Sequence, residues 1–547
     1  MTGRVQKVLL LDGIDAVCAQ VLTQAGIAVT THNKLTKQQL LKEIADYDGV
    51  VVRSATKVTS EVLAASKRLQ IVGRAGTGVD NIDVQAATRR GVIVMNTPGG
   101  NTLSAAEHTC AMICAMSRFL PQACAALKAG TWDRKTYLGS ELHGKTLAIV
   151  GLGRIGREVA KRMQAFGMIT IGYDPIIPEE VTKEWGVESL SLEALWPRAD
   201  YITVHTPLLP HTKNLVGEEV LAKCKPGVRI VNVARGGIVD EAALLKALER
   251  GTCGGAALDV FLEEPPTDTT LCRHPKVICT PHLGANTVEA QQRVAVEIAQ
   301  QIVDMVKGKP LVGVVNAAAL THATSPASKD WIELAQALGC LGSHLSQPAD
   351  TPASTVHIDL YGSEVSKMDT FLGSAVLVGL LRTTSPDGIN MVNAPLLAQE
   401  SGIDLTHHAH PHTPAPLIAA PEALVVRVSR GADTHVLLGG AAGGHATLYA
   451  LDGCVWESGL TLSNNMLFFS ASPSATPLAT IATKLLEGNR QPSLLSFLHL
   501  HPPRRGGMSS GRIQQLPWAP PASLEPSSEP KSPFETVLHH TRSRAQN

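Results

Sequence analysis

The sequence predicts an α/β protein with two parallel-sheet units, then an α+β unit and a tail without packed structure. Three observations point there. Short apolar runs alternate with helical stretches over roughly residues 1–315, a glycine turn joins a strand to a helix at 150–156, and periodicity is lost after Gly488. An aromatic content of only 4% beside abundant Ala, Val, Leu and Gly suits parallel strands buried on both faces.

A length of 547 residues allows about three or four domains. Lys+Arg and Asp+Glu balance at 48 each, so the net charge points to neither a nucleic acid nor an acidic membrane surface. The ten cysteines are scattered without a C-x-x-C pair, which gives no zinc or redox signature; free thiols in a long chain suit a reducing, cytoplasmic location. Val8–Leu11 is too short for a signal-peptide core, and no apolar run approaches a membrane span.

Along the chain, Val8–Leu11, Gly49–Val52, Leu69–Val72 and Val92–Met95 read as buried strands, with amphipathic helices at Ala16–Gln24, Lys37–Ala45 and Val84–Arg90. Thr102–Met116 is a long apolar helix leading into a second series of strands: Met168–Tyr173, Tyr201–His205, Arg229–Val233, Ala256–Val260 and Val277–Thr280. Asn286–Val306 reads as a helix and Leu311–Val315 as a strand returning to the first unit. The expected division is 1–98 plus 286–315, then 99–285, 316–465, a fragment 466–490 and a disordered tail 491–547. In the third unit Val376–Leu381 and Ala423–Arg427 are the firmest elements, and His407–His412 reads as a histidine-rich loop lacking fixed ligand geometry, so no metal is expected. Met466–Phe469 reads as a strand and Pro477–Glu487 as a helix.

The most specific signal is Gly151-Leu152-Gly153-Arg154-Ile155-Gly156 between the strand Thr146–Val150 and a helical pattern, with Asp174 ending the next strand. Strand, glycine turn, helix, strand and acid together form a Rossmann-type dinucleotide fingerprint. Gly151 permits the turn, Gly153 lets backbone approach a pyrophosphate, and Gly156 lets helix and strand pack closely. An acid at 174 favours a free ribose hydroxyl, hence NAD over NADP.

A second constellation follows later strands. Arg235 lies after Arg229–Val233, Glu264 after Ala256–Val260 and His282 after Val277–Thr280, so their loops can converge at one sheet edge. A 2-hydroxy acid losing hydride needs a proton acceptor at its hydroxyl and a cation on its carboxylate. His282 suits the first task, with Glu264 on its far ring nitrogen, and Arg235 offers a fork for the second. On the other side Arg53-Ser54, Arg74 in the glycine loop with Gly76, and Asn101 also follow strands. Two arginines beyond Arg235 suggest a second anionic group, such as a phosphate.

These segments resemble the D-isomer-specific 2-hydroxyacid dehydrogenase family. The resemblance rests on Arg53–Thr59, Val72–Asn81, Ser104–Glu107, the 151–156 turn, Trp132–Lys135, His205–Leu208, Ala234–Glu241 and Pro281–Ala285. It implies a flavodoxin-like, discontinuous substrate domain and a Rossmann NAD domain. It implies catalysis by Arg235, Glu264 and His282, and NAD contacts at Thr77, Arg154, Ile155, Asp174, Thr206, Val233, Ala234, Asp259, Leu283, Gly284 and Ala285. Substrate would be held by Arg53, Arg74 and Asn101, with Arg134 reaching a neighbouring subunit's site in a homodimer formed by the nucleotide domains. The implied reaction is oxidation of 3-phospho-D-glycerate, with hydroxypyruvate or glyoxylate as alternative substrate classes and NAD-sensing corepression as an alternative role. Family members of this kind end in a small ferredoxin-like regulatory domain. Only Met466–Gly488 resembles its start, so tetramer assembly is not expected here.

Overall fold

Four-residue apolar strands such as Gly49–Val52 leave backbone edges that only lateral pairing satisfies. In the computed structural model of the chain they pair in two all-parallel sheets. The structure describes residues 5–345, 355–382, 388–411, 421–431, 433–442, 444–462, 466–469 and 513–516.

The first sheet has the spatial order Ala28–Thr31, Lys7–Leu10, Gly49–Val52, Ile71–Arg74, Ile93–Asn96. Its strand order reverses between Lys7–Leu10 and Gly49–Val52, the flavodoxin-like pattern the sequence predicts. The second runs Val277–Cys279, Cys253–Leu258, Val228–Asn232, Tyr201–Val204, Thr146–Val150, Ile169–Tyr173, Glu188–Ser189. It reverses between Tyr201–Val204 and Thr146–Val150, which opens a crevice beyond the carboxyl ends of those strands.

Helices Thr102–Ser117 and Val288–Val306 join the two sheets. Ser104 Oγ meets Thr287 Oγ1 at 2.7 Å, and Arg293 Nε donates to the Gly100 carbonyl at 3.0 Å, so the two crossings form one strut. The long helix Val288–Val306 buries Val294, Ile298 and Ile302 against the first sheet, in the same core as Val51 and Ile71. The returning segment differs from expectation. Leu311–Val315 makes only an isolated antiparallel bridge, Met95 to Val314, because Gly313 at φ +70° turns the chain away after its carbonyl accepts from Asn96 N.

The third unit packs helices Lys329–Leu345 and Asp369–Leu381 on a six-stranded mixed sheet. The helices touch backbone to backbone at Gly339 and Gly379, where a Cβ would lie 2.0 Å from the Val376 carbonyl and 1.9 Å from the Gln336 carbonyl. The expected histidine-rich loop is a strand over most of its length: Asp404–His410 pairs in parallel with Thr355–Tyr361, and His412 lies outside the described residues. Pro411 marks the end of that strand and does not break it, as suits an edge position with one solvent face. Met466–Phe469 is a strand, paired antiparallel with Ile513–Leu516, an element the tail was not expected to contain. The expected helix Pro477–Glu487 lies outside the described residues. Among the described residues, no single helix is long and apolar enough to cross a membrane.

Candidate active site

The glycine turn sits at the reversal point of the second sheet. Gly151 has φ +98°, and a Cβ there would lie 2.6 Å from the His205 carbonyl. A Cβ on Gly156 would lie 2.0 Å from the Gly151 carbonyl, so helix Arg154–Gln164 can start this close to its strand only with glycine. Nothing lies within 4 Å of a Cβ built on Gly153, and that helix has no side-chain cap. Its first amides, including those of Arg154 and Ile155, therefore face open space at the positive end of the helix dipole. Beside the turn the Thr206 hydroxyl is buried without a hydrogen-bond partner. An unpaired polar atom beside free helix amides and an open glycine fits the diphosphate and ribose of a dinucleotide. Asp174 Oδ2 accepts from Leu152 N at 2.9 Å and Oδ1 accepts from Ile176 N, fixing the carboxylate at the end of its strand.

His282 has φ +56°, a conformation unusual for a non-glycine residue and a mark of imposed geometry. Its amide donates to the Asp259 and Thr280 carbonyls at 2.9 and 3.0 Å. Its Nδ1–H donates to Glu264 Oε2 at 2.6 Å, while Glu264 Oε1 accepts from Phe261 N at 3.2 Å. The ring tautomer is thereby set, with Nε2 left available. The Glu264 hydrogen bond holds the His282 imidazolium above the ordinary histidine range, outweighing burial. Burial pushes the Glu264 carboxyl up, but His282 outweighs it and the net direction is down.

Asp259 is only 1% exposed. Its oxygens accept from Thr280 Oγ1 at 2.6 Å, Leu283 N at 2.7 Å and Gly284 N at 2.8 Å. The expected NAD contact at Asp259 is thus, in this structure, the anchor of the 282–285 loop. Burial raises its carboxyl, yet donors led by His108 and Thr280 bring it below the usual range. His108 reaches Thr280 Oγ1 at 3.0 Å and Asp259 at 3.3 Å, a brace absent from the sequence reading. Val233 closes on Gly284, whose Cβ would lie 3.0 Å from Val233 Cγ1, and Ala234 N donates to Asn232 Oδ1.

The cations gather opposite this loop. Arg235 Nε donates to Asp80 Oδ2 at 3.0 Å, a contact from the nucleotide sheet to the first sheet's glycine loop. A Cβ on Gly78 would lie 2.0 Å from Arg235 Nη2, so a side chain there would push the guanidinium aside. Arg74 is held by Asn81 Oδ1 at 3.3 Å and the Ala75 carbonyl at 2.7 Å, and a Cβ on Gly76 would strike its guanidinium. Burial, then the charges of Arg53 and Arg235, push the Arg74 guanidinium down to about 10. Burial also lowers Arg53. Arg235 in turn opposes the charge on His282. Arg74 thus lies between the charges of Arg53 and Arg235, and Arg235 reaches His282, a run of positive charge that suits an anion.

Two loops hold this array. Asp12, at φ +62°, accepts from Arg53 N at 2.8 Å and from Thr56 Oγ1 at 2.6 Å; Asn81 Nδ2 donates to the Arg53 and Thr56 carbonyls. Thr77 Oγ1 donates to Asn101 Oδ1 at 2.6 Å, so the two expected ligands stand together. Ser54 is exposed. Arg134 is also exposed, on a loop between Trp132 and Leu138, and no described contact joins it to the trio in the same chain.

Two stretches of the chain match known families. Residues 110–284 match the NAD-binding domain of the D-isomer specific 2-hydroxyacid dehydrogenases, and residues 327–424 match the D-3-phosphoglycerate dehydrogenase intervening domain. The D-3-phosphoglycerate dehydrogenase of Sus scrofa is 51% identical over 499 residues, covering 90% of this chain and 92% of the pig protein. The Homo sapiens protein of that name is 50% identical over the same shares. Among solved structures, a glyoxylate reductase from Paecilomyes thermophila superposes with a TM-score of 0.52 at 29% identity, over 57% of this chain and 98% of its own.

Fold and cleft define an NAD-dependent dehydrogenase of the D-2-hydroxyacid class acting on a small anionic substrate. Within that class, the chain belongs to the D-3-phosphoglycerate dehydrogenase family.

Proposed function

We propose that this chain oxidises 3-phospho-D-glycerate to 3-phosphooxypyruvate, feeding serine synthesis, with Arg235, Glu264 and His282 as its catalytic residues. The observation that supports this most is the run of positive charge from Arg53 through Arg74 to Arg235, which ends beside the His282–Glu264 pair. One guanidinium suffices for a carboxylate; three match a substrate with a carboxylate and a phosphate. Bound NAD supplies the hydride acceptor. His282 Nε2 takes the hydroxyl proton from the substrate, and Glu264 stabilises the imidazolium that results. Arg235 turns from Asp80 to the substrate carboxylate, while Arg53, Arg74 and Asn101 hold the phosphate end. The Asp259–Thr280–His108 chain keeps the His282 loop in place, and Leu283–Ala285 with Val233 and Ala234 line the nicotinamide side.

The same reading assigns substrate binding to 1–98 with 286–315 and NAD binding to 99–285. It places the protein in the cytoplasm, supported by ten free cysteines. It forms a homodimer through the nucleotide unit: Leu120, Leu127, Trp132 and Leu138 are 55, 56, 80 and 83% exposed along one stretch, and Arg134 lies among them. Comparing rates on 3-phosphoglycerate, glycerate, hydroxypyruvate and glyoxylate tests the assignment. Equal or better turnover of the unphosphorylated acids would overturn it.

A further inference from the structure

The histidine-rich run of the third unit lies far along the chain from the dehydrogenase loops, and the reaction above leaves it unused. Its strand, Asp404–His410, lies parallel to Thr355–Tyr361, with His357 opposite Thr406 and Asp359 opposite His408. Alternate residues of a strand share a face. Val356, Ile358 and Leu360 are fully buried, so His357 and Asp359 stand on the opposite face of the sheet, alongside Thr406, His408 and His410 of the neighbouring strand.

One ligand atom from each of His357, Asp359 and His408 lies within 4.8 Å of the other two. The rings of His357 and His408 are 5.1 Å apart. His357 Nδ1 is engaged by Thr406 Oγ1 at 2.8 Å, which fixes the ring and directs Nε2 to Asp359 Oδ2 at 3.4 Å. This hydroxyl performs the task that an outer hydrogen bond performs for a metal-bound imidazole. Asp359 is 5% exposed, and His410 Nε2 contacts its other oxygen at 3.0 Å.

Asp359 also pairs with Arg427 on the adjoining strand. That pair alone accounts for the buried carboxylate. It does not account for three imidazoles gathered around it, two of them on a His-x-His strand.

We propose that His357, Asp359 and His408 bind a divalent cation of the zinc class, a second ligand site that shares no residue with the dehydrogenase site. Two imidazoles and one carboxylate suit Zn²⁺, Ni²⁺ or Cu²⁺ and disfavour Mg²⁺ or Ca²⁺, which prefer all-oxygen shells. The cation takes the place of the Arg427 guanidinium on Asp359; the Arg427 side chain is 37% exposed and can turn into water. A bound ion bridges the edge strand to its neighbour, so it stiffens the third unit.

The test uses the full-length protein, stripped with a chelator and titrated with Ni²⁺ in a calorimeter, with Zn²⁺ measured by equilibrium dialysis and metal analysis. Because thiols are also ligands for these ions and the chain has ten free cysteines, the comparison is with His408→Asn, at an exposed position, and with His357→Asn/His408→Asn. The wild type is expected to take up one more equivalent than either variant, and Arg427→Gln to bind that equivalent about tenfold more tightly, since a like charge is removed. The Co²⁺ difference spectrum, wild type minus His408→Asn, is expected to show d–d absorption without thiolate charge transfer. Equal uptake by wild type and His408→Asn, or unchanged affinity in Arg427→Gln, would overturn the proposal.

Discussion

His282 Nδ1 lies 2.6 Å from Glu264 Oε2, and Glu264 is itself tied to the Phe261 amide. A histidine at positive φ is thereby aimed by a carboxylate whose own place is fixed. The hydrogen bond favours the charged ring, so the folded-state affinity of His282 for a proton is raised.

The sign of the pH effect follows. Oxidation needs neutral His282, so the acidic limb of kcat/KM reports the raised value. Replacing Glu264 with Gln removes the negative charge and lowers it. The acidic limb is expected to move to lower pH while maximal kcat falls by about 10²-fold, read from a pH–rate profile. A limb that stays in place would show that the pair does not set the proton affinity.

Arg53 and Arg74 answer to the phosphate end. Arg53→Ala and Arg74→Ala are each expected to raise KM for 3-phosphoglycerate by about tenfold or more, with little change in KM for glycerate. The measurement is the ratio of kcat/KM for the two acids. An unchanged ratio would place the phosphate elsewhere.

Gly78 makes room for Arg235, with Asp80 as that arginine's partner across the cleft. Gly78→Ala is expected to displace the guanidinium and reduce kcat/KM at near-wild-type stability. Asp80→Asn removes only an ion pair whose carboxylate is 69% exposed, so its stability change is expected within about 1 kcal/mol, read by denaturant unfolding.

How much of this was legible in the sequence depends on range. Gly151, Gly153 and Gly156 act within six residues, so their spacing alone announces the turn. Arg235, Glu264 and His282 are legible because each directly follows a strand of one sheet. Asp12, Asn81 and His108 are not. Asp12 holds Arg53 across 41 positions and His108 holds Thr280 across 172, and only tertiary folding creates those contacts. Gly254 and Gly255 made the strand at Cys253 seem to begin late. A Cβ on Gly254 would lie 2.4 Å from the Gly227 carbonyl, so these glycines allow close backbone approach and do not end the strand. His407–His412 read as a loop because histidines beside a proline have weak strand preference; the pairing of Asp404–His410 to Thr355–Tyr361 overrides it. Short elements such as Ala28–Thr31 and Ser60–Ala64 had too few residues to show a period, and Leu120–Lys128, largely exposed, had no buried face to reveal one.

His205 supplies an acid-stability test. The residue as a whole is half-buried, but desolvation of its ring pushes the imidazole down to about 4, and its Nε2 shares a hydrogen bond with Thr203 Oγ1. The unfolded chain therefore binds the proton more readily. Stability from this group is present above the ordinary histidine value and is lost as pH falls from about 6.5 towards about 4. His205→Gln is expected to flatten that part of the unfolding free-energy curve by on the order of a few kcal/mol. An unchanged slope would show that the ring is solvated.

The central claim is that the His282 imidazole accepts the hydroxyl proton of a phosphorylated 2-hydroxy acid. Initial rates of NADH formation from 3-phosphoglycerate test it most directly, with wild type and His282→Ala compared at equal NAD saturation. The account expects kcat to fall by about 10²–10⁴-fold with NAD affinity retained. Turnover within a few-fold of wild type in His282→Ala would contradict it.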